Sequence, residues 1–126
     1  MILGLGIDVA RLDRVEQFLE RYGERFTRRI LTPREAEFCA KYGKQTEQVG
    51  GRIAAKEAAS KALGTGWRQG VHWKCFEVGH EPSGKPVLHI HGRAAELASR
   101  MGVRNVHLSI THDGGVAAAV VIFEGD

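Results

Sequence analysis

Between Arg52 and Leu63 the chain reads Arg-Ile-Ala-Ala-Lys-Glu-Ala-Ala-Ser-Lys-Ala-Leu, with alanine at 54, 55, 58, 59 and 62. Alanine is the strongest helix former, and Gly64 and Gly66 supply a stop signal, so the stretch is expected to be a helix over 52–63. Its alanines leave little bulk, so another backbone or a ligand can approach closely. Glu57 and Lys61 stand one turn apart and are neighbours on the helix surface. Arg52 and Lys56 share that spacing, and Ser60 extends their row. A second carboxylate, Asp8, closes the apolar run Ile2–Ile7, where a strand is expected to hand over to a helix. Locally Asp8 reads as a helix N-cap and Glu57 as half of an ion pair with Lys61. Together, two carboxylates far apart in sequence and a nearby row of cations can hold a divalent ion and a phosphate.

At 126 residues, the chain suits one domain spanning 1–126. Hydrophobic content of 43% and charged content of 26% are ordinary for a globular protein. No apolar run reaches membrane-spanning length, and the N-terminal run lacks the basic start of a signal peptide, so a cytoplasmic protein is expected. After the first strand, Leu12, Val15, Phe18, Leu19 and Tyr22 recur at helical spacing. Thr32-Pro33-Arg34-Glu35 is a helix start, with Thr32 as cap and Glu35 able to close a capping box; this helix is expected to end near Gly43. Strands are expected over 71–78 and 87–91, separated by a turn at 82–86, and a helix over 93–101. Val106, Leu108 and Ile110 alternate with His107, Ser109 and Thr111, which reads as a half-buried strand; Asp113-Gly114-Gly115 then turns the chain into a buried strand over 116–123. The order β-α-α-α-β-β-α-β-β makes the class α+β, an antiparallel sheet packed with helices.

Charge is distributed unevenly. The net charge is +3, yet four arginines and no acidic residue lie between Arg25 and Arg34. Such a basic edge suits an acidic protein, a phosphate-rich ligand or nucleic acid. Cys39 and Cys75 form no metal-ligand pattern and read as reduced, packed thiols. The six histidines present no zinc-type spacing. Trp67 and Trp73 flank a glycine-containing turn and read as core or interface anchors.

Five segments resemble the family of holo-acyl-carrier-protein synthases, small phosphopantetheinyl transferases, in that family's order and spacing. They are Gly6-Ile7-Asp8 with Arg14, Arg52 through Lys56-Glu57-Ala58 to Lys61-Ala62, Gly64-Thr65-Gly66, Gly84-Lys85-Pro86, and Ser109-Ile110-Thr111-His112. The resemblance implies transfer of 4′-phosphopantetheine from coenzyme A to a serine of apo-acyl carrier protein, in fatty acid biosynthesis. It implies Mg²⁺ held by Asp8 and Glu57, with Mn²⁺ able to substitute, and catalysis by Glu57, Asp8 and Lys61. Coenzyme A is implied to contact Arg52, Ser60, Lys61, Gly64, Thr65, Lys85, Pro86 and His112. The carrier protein is implied to dock on Arg14, Arg21, Arg25, Phe26 and Arg29. A homotrimer with sites between subunits is implied as well, with neither nucleic acid nor membrane as a partner. Two positions depart from the family pattern: Val116 stands where Tyr is frequent, and Cys75 where an acidic residue is frequent.

Two other classes compete on composition. A nucleic-acid-binding module accounts for the basic edge and an isoelectric point near 9.1, but not for the carboxylates. A metal-dependent phosphohydrolase uses similar ligands but ordinarily more carboxylates, to hold two metals.

Overall fold

The computed structural model describes residues 1–41 and 43–126. It runs β1 (Ile2–Arg11), α1 (Leu12–Tyr22), α2 (Glu24–Ile30), α3 (Pro33–Lys41), α4 (Gln45–Leu63), β2 (Phe76–His80), β3 (Pro86–Ile90), α5 (Gly92–Met101), β4 (Asn105–Asp113) and β5 (Val116–Glu124). A 3-10 turn at Trp73–Cys75 precedes β2. The α+β expectation is borne out: β1-β5-β4 form one antiparallel sheet and β2-β3 another.

The alanines of α4 are explained by what lies against them. The two-residue period of β1 puts Gly4, Gly6, Asp8 and Ala10 on one face. A Cβ on Gly6 would sit 1.8 Å from the Ala58 carbonyl oxygen, and one on Gly4 would sit 2.2 Å from that of Ala62. Strand and helix backbones therefore touch, which only glycine on one side and a small residue on the other permit. Ala54, Ala55, Ala58 and Ala59 are fully enclosed, in one core with Phe76, Val121 and Phe123. A second core joins Val15, Ile30, Leu31, Cys39 and Val49 beneath the first three helices. From Val49 onward helix α4 is buried except along the side that carries Ile53, Glu57 and Lys61, because the sheet, α3 and β2 all pack on it. Its end is marked by Gly64 in the left-handed region (φ 85°), whose N–H donates to the Ser60 and Lys61 carbonyls.

The structure corrects several expectations. Strand β1 continues to Arg11, so Asp8 lies within the strand and caps no helix; α1 begins after Arg11 with no side-chain cap. Helix α4 starts at Gln45, seven residues before the expected start, and α2 makes four helices between β1 and β2 where three were expected. The first core strand of the second sheet is 76–80 instead of 71–78, since Trp73–Cys75 wind into a turn. Strand β5 is buried on alternate residues only: Ala117, Ala119, Val121 and Phe123 face the core. The capping box forms as expected, with the Thr32 N–H donating to Glu35 Oε1 at 3.0 Å and the Glu35 N–H to Thr32 Oγ1 at 3.3 Å. Helix α3 ends at Lys41; residue 42, part of the expected helix, lies outside the described residues.

Candidate active site

The backbone contact between β1 and α4 sets the position of Asp8. Two residues beyond Gly6 on the same strand face, it meets the side of α4 that carries Glu57 and Lys61. The Lys61 ammonium donates to Asp8 Oδ1 at 2.9 Å and to the Ile7 carbonyl at 3.1 Å. Glu57 is half-buried and accepts from the Trp67 indole N–H at 3.4 Å. Burial raises the Glu57 pKa above the ordinary glutamate value; the Trp67 hydrogen bond opposes that rise, the Asp8 charge adds to it, and Lys61 lowers it. Asp8, Glu57 and Lys61 thus come together from two elements, as the sequence suggests.

These carboxylates stand at the head of a cleft of about 390 Å³. Its apolar walls include Val15, Phe18, Phe26, Ile30, Ile53 and Trp73, and Arg11 and Arg14 stand at its rim. An adjoining hollow of about 450 Å³ shares Phe18, Phe26, Ile30 and Trp73 and adds Tyr22, Arg25 and Arg29. The Arg21 guanidinium lies 5.5 Å from the Tyr22 ring centroid. All five residues expected to dock a carrier protein therefore line or flank one continuous groove that ends at the carboxylates. Its apolar floor was not recognised from sequence. Phe18 and Tyr22 read as core by helical spacing, yet both are exposed, and their position next to Arg14 and Arg21 was the available signal.

The other cations separate. Lys56 is 0% exposed and turns away from Glu57, donating to Glu35 Oε1 and the Ile30 carbonyl at 2.6 Å each and to the Trp73 carbonyl at 3.2 Å. Burial lowers its pKa, with the Glu35 charge opposing. Lys56 is therefore neither a solvated residue nor a phosphate ligand; it ties the end of α2 and the Trp73 turn, two walls of the cleft, to α4. Arg52 is also buried, its guanidinium 4.7 Å above the Phe38 ring and its Nη1 on the Gln48 carbonyl and side-chain oxygens at 3.2 Å. Its Nε and Nη2 make no hydrogen bond among the described residues. Ser60 is buried, donating to the Glu57 carbonyl at 2.7 Å, and Thr65 donates to the Gly66 carbonyl at 2.8 Å. His112 Nε2 is 3.1 Å from the Glu47 carbonyl, by the first turn of α4. Lys85 and Pro86 lie at the β2–β3 hairpin, and their hydrogen bonds and pairing are within it.

The donor set suits a hard cation. Carboxylate oxygens are what Mg²⁺ prefers, and one oxygen on each of Asp8 and Glu57 has no protein partner among the described residues. No group of three or more His, Cys, Asp or Glu side chains gathers among those residues. Two carboxylates match a cation whose remaining ligands are water and substrate phosphate.

Comparison with known proteins agrees with this geometry. Holo-[acyl-carrier-protein] synthase of Solibacter usitatus is 48% identical over 124 residues, covering 98% of this chain and 99% of that protein. The crystal structure of holo-[acyl-carrier-protein] synthase from Neisseria meningitidis matches with a TM-score of 0.90 at 35% identity, over 98% of this chain and 99% of that one. That from Bacillus anthracis, in complex with CoA (3′,5′-ADP), matches with a TM-score of 0.83 at 38% identity, over 100% and 99%. Residues 4–121 match the model of the 4′-phosphopantetheinyl transferase superfamily, and the chain belongs to that family.

Proposed function

We propose that this chain, acting as one domain over residues 1–126 in the cytoplasm, is a holo-[acyl-carrier-protein] synthase of fatty acid biosynthesis. The observation that carries the reading is the Asp8–Glu57–Lys61 cluster at the head of an arginine-rimmed apolar groove. In the reaction the serine Oγ of the carrier protein attacks the phosphorus next to pantetheine in coenzyme A. The bond from that phosphorus to the bridging oxygen breaks, and adenosine 3′,5′-bisphosphate leaves. Glu57 is placed to take the serine proton, directly or through a water that it orients. Lys61 puts positive charge beside the pyrophosphate. Asp8 and Glu57 hold Mg²⁺, for which Mn²⁺ can substitute, and the ion when bound neutralises pyrophosphate charge.

Coenzyme A recognition extends along α4 and its end, where Ser60, Gly64 and Thr65 lie. The Nη2 of Arg52, which makes no hydrogen bond among the described residues, is a donor for a phosphate of its adenosine end, while Nε lies 3.9 Å from Glu35 Oε2; His112 is nearby on β4. The acidic carrier protein docks through Arg14, Arg21, Arg25, Phe26 and Arg29, its helix meeting the guanidinium rim while its serine reaches Glu57.

The active form is a homotrimer. The outward face of β1 leaves Leu5, Ile7 and Val9 at 61, 63 and 55% exposure, next to Val120 and Ile122 of β5. A patch of this kind on a lone protomer is a subunit surface. Lys85 and Pro86, on the β2–β3 hairpin, then reach coenzyme A across the boundary.

Incubation with coenzyme A, Mg²⁺ and apo-carrier protein should give the carrier the mass of phosphopantetheine. Asp8→Ala and Glu57→Ala should each cut the rate by more than about a hundredfold, and EDTA should do the same reversibly. Full activity in chelator would end the metal reading. Mixing Asp8→Ala with Arg52→Ala chains should restore activity if each damages a different wall of a shared site; a fully active monomer in sedimentation would rule out the trimer.

A further inference from the structure

Each carboxylate at the site has its own hydrogen-bond donor, and the two donors differ in kind. Asp8 is met by the Lys61 ammonium, which neutralises part of its charge. Glu57 is met by the Trp67 indole, a neutral donor with no acceptor atom. The chain returns to Glu57 because α4 stops at Gly64, and the loop that follows brings residue 67 back along the helix it has just left. The indole is clamped in that place. Trp67 stacks on Trp73 with ring centroids 4.2 Å apart, and Phe76 meets it edge-on at 6.1 Å.

From this we infer that Trp67 is a positioning residue for the metal ligand Glu57: its N–H holds Oε1 and so aims the other oxygen at the cation. The inference rests on the reading of Asp8 and Glu57 as Mg²⁺ ligands. A neutral donor is suited to this task. A lysine or arginine in the same place would fix the carboxylate equally well but would compete with the cation for its charge, whereas the indole fixes orientation and leaves the charge intact. Outer hydrogen bonds of this type orient metal ligands and support affinity in other metal sites. Trp67 has a second attachment as well, since its stacking partner Trp73 lines the groove below the carboxylates. The same ring pair therefore connects the metal ligand to the groove wall.

The test is Mn²⁺ binding to the full-length protein, read from the free-ion signal in electron paramagnetic resonance, with thermal denaturation in parallel. Trp67→Phe keeps an aromatic ring for the stack and removes the N–H. It should weaken Mn²⁺ binding about tenfold with an unchanged melting temperature, and its activity deficit should close at saturating Mg²⁺. Trp73→Phe alters the stack but keeps the indole N–H on Glu57, and should bind Mn²⁺ like the wild type. Should Trp67→Phe melt early, benzothienylalanine at position 67, a tryptophan isostere lacking the N–H, gives the same comparison without a change of shape. Wild-type affinity in Trp67→Phe, or equal weakening in both variants, overturns the inference while leaving the metal reading in place. A wild type that binds no Mn²⁺ and works in chelator removes the metal reading, and this inference with it.

Discussion

Gly6→Ala tests the contact on which the site is built. The new Cβ would lie 1.8 Å from the Ala58 carbonyl oxygen, 2.7 Å from its carbon and 2.9 Å from the Ala62 nitrogen. An ordinary carbon–oxygen contact is about 3.3 Å, so strand and helix must separate by about 1.5 Å. Neither side can yield by a rotamer change, because every opposing atom is backbone. Overpacking in a core costs about 1–3 kcal/mol and occasionally more, and a clash between two main chains falls at or above the top of that range. Taking about 3 kcal/mol, the melting temperature of a chain this long should drop by roughly 10–12 °C. Activity should fall further than stability explains, since Asp8 is two residues along the same strand face and a misplacement of about 1 Å can cost about a hundredfold. Calorimetry and the carrier-modification assay, run below the melting temperature of the variant, measure the two effects separately. Gly43→Ala is the control, because a Cβ there meets nothing within 4 Å. If Gly6→Ala melts within about 2 °C of the wild type and keeps its rate, the backbone contact does not position the site.

Two further outcomes follow from the charges at the cleft. The folded state holds a proton on Glu57 more tightly than the unfolded chain does, so the stability this contributes is complete below the ordinary glutamate value of 4.5 and is lost as pH rises through the raised folded value. Glu57→Gln in metal-free buffer should therefore be more stable than wild type at neutral pH, with the gain shrinking toward zero below pH 4.5; a difference that stays constant with pH refutes the assignment. Arg14→Glu should raise the KM for carrier protein at least about tenfold and spare coenzyme A affinity, because it reverses a charge on the groove rim; equal loss of both would move Arg14 into the nucleotide site.

Much of the site was legible because its chemistry is carried by charged residues in short motifs. Asp8, Glu57 and Lys61 were paired from sequence, and the structure joins them directly. The packing beneath them was less accessible. Helix α2 has only seven residues, too few for a clear period, and its arginines read as an edge instead of a helix. The first turns of α4 were hidden by Gly50 and Gly51, ordinarily helix breakers. They are glycines because a Cβ at 50 would lie 2.5 Å from Leu12 Cδ2 and one at 51 would lie 3.1 Å from the His112 ring. Asp8 read as a cap since an acidic residue after an apolar run so often is one; only the register of β1 against β5 shows the strand continuing past it. Arg52 and Lys56 shared a helical row with no sign of which way it pointed, and Glu35 and Phe38 on α3 decide that direction.

The enclosed pair of Lys56 and Glu35 also limits how this sequence can drift. Removing Glu35 leaves Lys56 without a carboxylate in the interior, and removing Lys56 leaves Glu35 with only the Arg52 Nε, 3.9 Å from its Oε2, as a charged partner, at a cost of about 3–5 kcal/mol. Whole domains of this type are stable by only about 5–15 kcal/mol, so a chain with one of the two exchanged is at or near the edge of folding. Exchanging both for apolar residues is costly as well, because Glu35 also accepts from the Thr32 and Val78 N–H groups and Lys56 donates to the Ile30 and Trp73 carbonyls, all of which would lose that partner. Positions 35 and 56 are thus held by each other and by the backbone around them, and are expected to remain as they are.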